Sequence, residues 1–172
     1  MLYILLLQPT LDYYHTVGIV IVETLVQAPR RRCFDLARSS DFHVSSTKNT
    51  SEKIVGGVAA GLMELDDVIE FEASHFGIRQ RLSSKIISFD PPSYFRDSQV
   101  NGIFRRFDHD HFFSEVPSGT VMKDIFTFEC PFGVLGKIAD PIVARHLRNF
   151  LQARGIELKR AAESDTWRSF IS

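Results

Sequence analysis

Residues 118–140 read SGTVMKDIFTFECPFGVLGKIAD, and their reading decides the fold. From Thr120 to Glu129 side chains of different character alternate with a period of two, the spacing of a strand with one covered face. Met122, Asp124, Phe126 and Phe128 share that face. After Glu129 the period changes. Apolar residues at 135, 138, 142, 143, 147, 150, 151 and 158 fall near helical spacing. Asp140 reads as an N-cap with Pro141 at the first helical position, after a short turn over 134–139. A bend is expected at Gly155. A strand feeding a long C-terminal helix is the frame to be filled.

Upstream, "IFRRFDHDHFFSEV" at 103–116 is a second strand, joined to the first at "PSGT". With Ser118-Gly119 as the turn, Phe113 faces Asp124, His111 faces Phe126 and His109 faces Phe128. Arg105, Phe107, His109, His111 and Phe113 lie on the more aromatic face, which is assigned to the interior. Asp108 and Asp110 are assigned to solvent, and Asp124 to diagonal reach of His111.

Further back, residues 68–89, "VIEFEASHFGIRQRLSSKIISF", alternate as a hairpin. A Gly77-Ile78 turn pairs His75 with Gln80 and Glu70 with Lys85. Ile69, Phe71, Ala73, His75, Gln80, Leu82 and Ile86 then share the covered face. "DPPS" at 90–93 is a proline turn, and "YFRDSQV" another strand whose Tyr94 and Arg96 are candidates for the interior. Residues 43–66 read as loop with a turn of helix, and Val17–Val26 as a β-branched strand. Pro29 opens a short helix whose Arg30, Arg31 and Arg32 form a solvated start. That makes at least six strands, linked largely by short turns.

Composition bounds the function. The 172 residues are 44% hydrophobic and 24% charged, with a net charge of −1, as in an ordinary globular chain with no basic field to recruit nucleic acid. The opening "MLYILLLQP" has an apolar run that ends at Leu7, shorter than a spanning helix needs, with no basic n-region. Residues 1–16 read as a loosely attached extension, 17–163 as one domain and 164–172 as a tail. Cys33 and Cys130 lie far apart without a C-x-x-C pair, which fits a reducing compartment and a cytoplasmic protein. No G-x-S-x-G, S-x-x-K, H-E-x-x-H, P-loop or dinucleotide fingerprint occurs, so phosphoryl transfer and nicotinamide chemistry have no footing.

The order of elements resembles the SRPBCC superfamily, the START-like, helix-grip group that includes polyketide cyclases. "VETLVQAPRRRCFDL" at 22–36 looks like that family's first strand running into its first helix, and residues 118–140 look like its last strand and helix entry. The resemblance covers residues 17–163 and lies nearest the bacterial cyclase/dehydrase-like branch. It implies an α+β helix-grip fold: a curved antiparallel sheet around a long C-terminal helix, with two short helices after the first strand. It also implies a cavity for a hydrophobic or amphipathic molecule; no cofactor and no resident metal are expected, since no further Cys/His cluster appears.

On that cavity face His109, His111 and Asp124 are the candidates for acid–base work, because a His–Asp pair among apolar walls positions one proton. The first reading of the same residues is a satisfied polar network, ahead of the acid–base one. A metal reading needs His75 or Asp124 as a third ligand beside the two histidines. His75, Gln80, Arg96, Phe71, Leu82, Tyr94, Phe107, Phe113, Met122, Phe126, Phe128, Leu147 and Leu151 are the candidate ligand contacts. The expected function is binding of a lipid, isoprenoid or polyketide-like molecule, by a monomer or a homodimer. Its rivals are a cyclase/dehydratase-type enzyme and a cavity-free interaction module.

Overall fold

The computed structural model describes residues 17–47, 52–75, 77–131 and 134–171. Seven strands form one antiparallel sheet: β1 (Gly18–Val26), β2 (Lys53–Gly57), β3 (Val68–His75), β4 (Ile78–Asp90), β5 (Tyr94–Asn101), β6 (Arg106–Val116) and β7 (Gly119–Glu129). Their order across the sheet is β1-β7-β6-β5-β4-β3-β2. Helices α1 (Arg30–Ala37) and α2 (Ser40–Ser46) follow β1, and α3 (Val134–Ala162) lies in the grip of the curved sheet. The expected extension at 1–16 lies outside the described residues.

Both long hairpins keep the expected faces but slip by two residues. The closing pair of the first is His75–Ile78, so Ala73 rather than His75 stands opposite Gln80. In the second, Val116 pairs with Gly119, His111 with Asp124 and His109 with Phe126. Proline explains the second slip. Pro117 has no N–H for a ladder and its φ suits a turn, so the chain turns at Pro117-Ser118, one position earlier than expected. Gly119, at φ 135°, takes the conformation that a side chain would resist. Because side chains alternate with period two, a two-residue slip leaves every residue on its face.

The segment at 43–66 holds more regular structure than a loop. Ser39 Oγ accepts from Phe42 N at 3.2 Å and caps α2, while Lys53–Gly57 adds β2 as an edge strand beside β3. The final helix is also longer than expected. It runs unbroken from Val134 to Ala162 with Pro141 inside it, and Gly155 introduces no break. The helix therefore tolerates a local cost of roughly 3 kcal/mol at the proline, because tertiary packing outweighs propensity. Gly155 serves packing: a Cβ there would stand 2.5 Å from Thr24 Oγ1 on β1.

Two apolar clusters hold the layers together. Phe34, wholly buried on α1, has ring centroids of Phe89, Phe95 and Phe113 at 5.5, 5.6 and 5.5 Å. The second cluster joins Val20, Phe107, Phe126 and Phe128 of the sheet to Leu147 and Leu151 of α3. The C-terminal tail folds back onto the domain. Phe170 packs on Phe42 at 5.3 Å, and Arg32 lies 4.5 Å over the Trp167 ring.

Candidate functional site

Between the sheet and α3 is a cavity whose empty volume, mouth included, is about 1000 Å³. Phe71, Leu82, Phe107, Phe126, Leu147 and Gln80 line it. Phe113 and Met122, by contrast, are buried against α1, and Phe128 and Leu151 within the second cluster, without lining the main cavity. The His75 side chain lies outside what is described. Tyr94 and Arg96 are on the opposite, convex face of the sheet, which corrects their assignment to the cavity.

The reason is strand parity. On β5 Phe95 and Asp97 pair with His111 and His109, so Tyr94 and Arg96 must project to the other side. There they close over Asp110, whose carboxylate accepts from Tyr94 Oη at 2.7 Å and from Arg96 Nε and Nη2 at 2.6 and 2.8 Å. Asp108 accepts from Ser98 Oγ at 2.7 Å and Arg106 Nε at 2.6 Å. The two aspartates face outward as expected, yet are only 8% and 5% exposed, because long outer-face side chains lie across them. Burial works against the charge of Asp110, but the bonds from Arg96 and Tyr94 outweigh it and hold its carboxyl below the usual range.

One end of the cavity carries three ionisable groups, Asp97 on β5 and His109 and His111 on β6, with Asp124 of the adjacent β7 behind them. Asp124 Oδ1 accepts from His109 Nε2 at 3.0 Å and lies 2.9 Å from His111 Nδ1. The latter contact is short but off the line of the N–H, so it acts as a charge contact rather than a hydrogen bond. Asp97 Oδ1 accepts from His111 Nε2 at 3.2 Å and stands 3.7 Å from His109 Nδ1. Its Oδ2 accepts from Ser84 Oγ at 2.7 Å. The histidine rings are 3.7 Å apart, with Phe95 stacked on His111 at 4.1 Å and Phe126 beside His109 at 4.0 Å.

The two imidazoles differ because their surroundings do. Burial and the neighbouring His111 charge push His109 down to about 4, although Asp124 and Asp97 pull the other way. Burial also opposes a charge on His111, but both its nitrogens meet carboxylates, and its pKa ends above the ordinary value. Desolvation would raise Asp97 and Asp124; their histidine partners prevail and hold both well below the usual carboxylate range. The surroundings therefore favour a proton on His111 over one on His109, between two carboxylates. Asp97, His109 and His111 each offer an atom within 4.8 Å of the others, a set able to hold a metal ion.

Sequence reasoning missed Asp97. Tyr94 and Phe95 put an aromatic residue on either parity of "YFRD", and the pairing with β6 selects that of Phe95 and Asp97. His43 and Glu52 were also missed. His43 Nε2 and Glu52 Oε2 are 2.7 Å apart, the imidazole stacks on Phe71 at 4.3 Å, and both residues line the cavity. Burial, followed by the charge of Arg154, lowers the pKa of His43. Arg154, buried on α3, donates from Nη2 to Ala37 O at 2.9 Å and completes the polar part of the lining.

No protein-family model and no curated protein sequence matches the chain. Solved structures do. The Zhui aromatase/cyclase from a Streptomyces species superposes with a TM-score of 0.70 at 12% identity, over 86% of this chain and 94% of that one. A protein from Thermus thermophilus gives 0.66 at 19% identity, over 84% and 99%. The major latex-like protein 151 from Panax ginseng gives 0.62 at 11% identity, over 86% and 99%. The fold is that of the SRPBCC superfamily. With that fold this chain has a seven-stranded antiparallel curved sheet, two short helices after β1 and a long closing helix. Among the described residues no helix is long and apolar enough to cross a membrane.

Proposed function

We propose that the protein is a cytoplasmic binding protein for an apolar or amphipathic small molecule, of lipid, isoprenoid or polyketide-like type, held between the sheet and α3. The observation that carries this reading is the cavity between the sheet and α3, apolar along Phe71, Leu82, Phe107 and Leu147 and polar at the Asp97–His109–His111 end. A mainly apolar wall with a few convergent polar groups is the usual chemistry of small-molecule sites. A molecule with an apolar body and one hydroxyl or carbonyl group satisfies both ends. Similarity to the ginseng latex-like protein and to the Streptomyces aromatase/cyclase supports a cavity of this kind.

Native mass spectrometry of protein purified from its own host tests the reading, with extraction and identification of whatever is released. A stoichiometric apolar adduct is expected. Its absence, together with failure to take up a fluorescent fatty acid or flavonoid, would transfer the assignment to an interaction module with a filled core. Replacing His111 by Phe separates a carrier from a cyclase/dehydratase-type enzyme acting on the same molecule. A carrier retains most of its affinity, whereas an enzyme loses turnover of the extracted compound.

A further inference from the structure

We infer that Asp97, His109 and His111 form a binding site for a first-row divalent transition-metal ion, supported from behind by Asp124 and Ser84. The inference goes beyond the binding reading, since it holds whichever molecule occupies the cavity.

The donor atoms converge. Asp97 Oδ1 lies 3.2 Å from His111 Nε2 and 3.7 Å from His109 Nδ1, and one atom from each residue lies within 4.8 Å of the other two. An ion held at about 2.0–2.2 Å from nitrogen and oxygen donors needs those donors roughly 3.0–3.5 Å apart. Small side-chain rotations close the difference. The His-x-His spacing on β6 places both imidazoles on one face, and the Asp97–His109 pair across β5 and β6 supplies the carboxylate.

The far side of each donor group is occupied as a metal site requires. His109 gives its Nε2–H to Asp124, His111 turns Nδ1 toward the same carboxylate oxygen, and Asp97 receives Ser84 on its other oxygen. Metal-bound histidines ordinarily give their second N–H to a carboxylate in this way, which fixes the ring and the tautomer. Asp124 does not line the main cavity, whereas Asp97, His109 and His111 do, so the supporting carboxylate sits behind the imidazoles. With Nε2–H committed to Asp124, His109 presents the Nδ1 lone pair toward a carboxylate oxygen with no hydrogen bond to satisfy it. A cation entering there resolves that contact and takes the place of the proton that His111 Nε2 shares with Asp97 Oδ1, which is released to solvent. Two imidazoles and one carboxylate suit zinc, cobalt, nickel or ferrous ions better than calcium or magnesium. The remaining coordination positions open into the cavity, for water or a polar atom of a bound molecule.

The test uses the full chain without an affinity tag, stripped with a chelator. Co²⁺ titration is followed by visible d–d absorption, and Zn²⁺ titration by calorimetry. One saturable equivalent is expected. Asp97→Asn and His109→Ala are each expected to weaken binding at least tenfold, and the supporting change Asp124→Asn about 10- to 100-fold. His146→Ala, on α3, serves as the control and leaves binding unchanged. Circular dichroism checks that each variant is folded. In the unaltered protein, nitrogen NMR gives an answer that needs no substitution: Zn²⁺ shifts the ring nitrogens of His109 and His111 and not those of His146. Absence of saturable Co²⁺ and Zn²⁺ binding up to about 100 μM, or shifts confined to other histidines, overturns the inference.

Discussion

Phe126 and Phe128 lie two residues apart on β7 and point to the same side of the sheet, yet alanine at the two positions is expected to carry different costs. Phe128 is wholly buried. Its ring fills the space above Gly18, where a Cβ would approach it to 2.4 Å, and meets Phe104 at 6.0 Å. Truncation leaves a closed void among packed neighbours, for which large-to-small changes of this kind cost about 3–5 kcal/mol. Phe126 touches Phe107 at 4.7 Å and His109 at 4.0 Å, but another part of its surface borders the cavity. A ring facing empty space has fewer dispersion partners to lose, so roughly 1.5–2.5 kcal/mol is expected. Urea unfolding with an unchanged m-value measures both, and the melting temperatures separate by about 2–4 °C per kcal/mol for a chain of this size. Equal costs, within about 0.5 kcal/mol, would mean that no void adjoins Phe126. The cavity reading of the inner face would then fail.

Leu82→Trp places a large ring in the cavity from β4 and is expected to lower the affinity for a fluorescent fatty acid at least tenfold; titration of the folded variant checks it, and unchanged uptake refutes the site. On the convex face, Asp110→Ala removes the acceptor shared by Tyr94 and Arg96 and is expected to lower stability by about 1–3 kcal/mol while probe binding stays the same, since that face does not touch the cavity. The thiols are expected to resist alkylation. Burial and Asp140 push Cys130 up to about 12, and burial pushes Cys33 up to about 11. At pH 8 the Cys130 thiolate fraction is therefore about a thousandfold below that of a free cysteine, and iodoacetamide labelling should quicken about tenfold per pH unit above 8.

The faces of β3, β4, β6 and β7 were legible in the sequence because alternation survives an error in register. The register itself was not, since it depends on which residues occupy the turn, and Pro117 decides that point for β6 and β7. His109, His111 and Asp124 could be brought together from the sequence, but Asp97 could not once β5 was read with the opposite parity. A mixed strand such as "YFRD" offers an aromatic residue on either side, and only its place in the sheet selects one. His43 and Glu52 come from a short helix and the segment leading into an edge strand, in a stretch whose polar composition reads as loop. Pro141 misplaced the start of α3 because a local penalty was weighed without the packing that overrides it.

Gly155 gives the cavity a gauge. The helix and the edge strand meet where that residue has no side chain, with Thr24 directly opposite. A single added methyl must either turn the Thr24 hydroxyl aside or move α3 from β1, and in the second case the cavity between α3 and the sheet changes capacity with its wall unaltered. Spacing at this contact then bears on the girth of the molecule that can be enclosed, while the cluster bears on its polar end. Size and chemistry can therefore diverge independently on this scaffold.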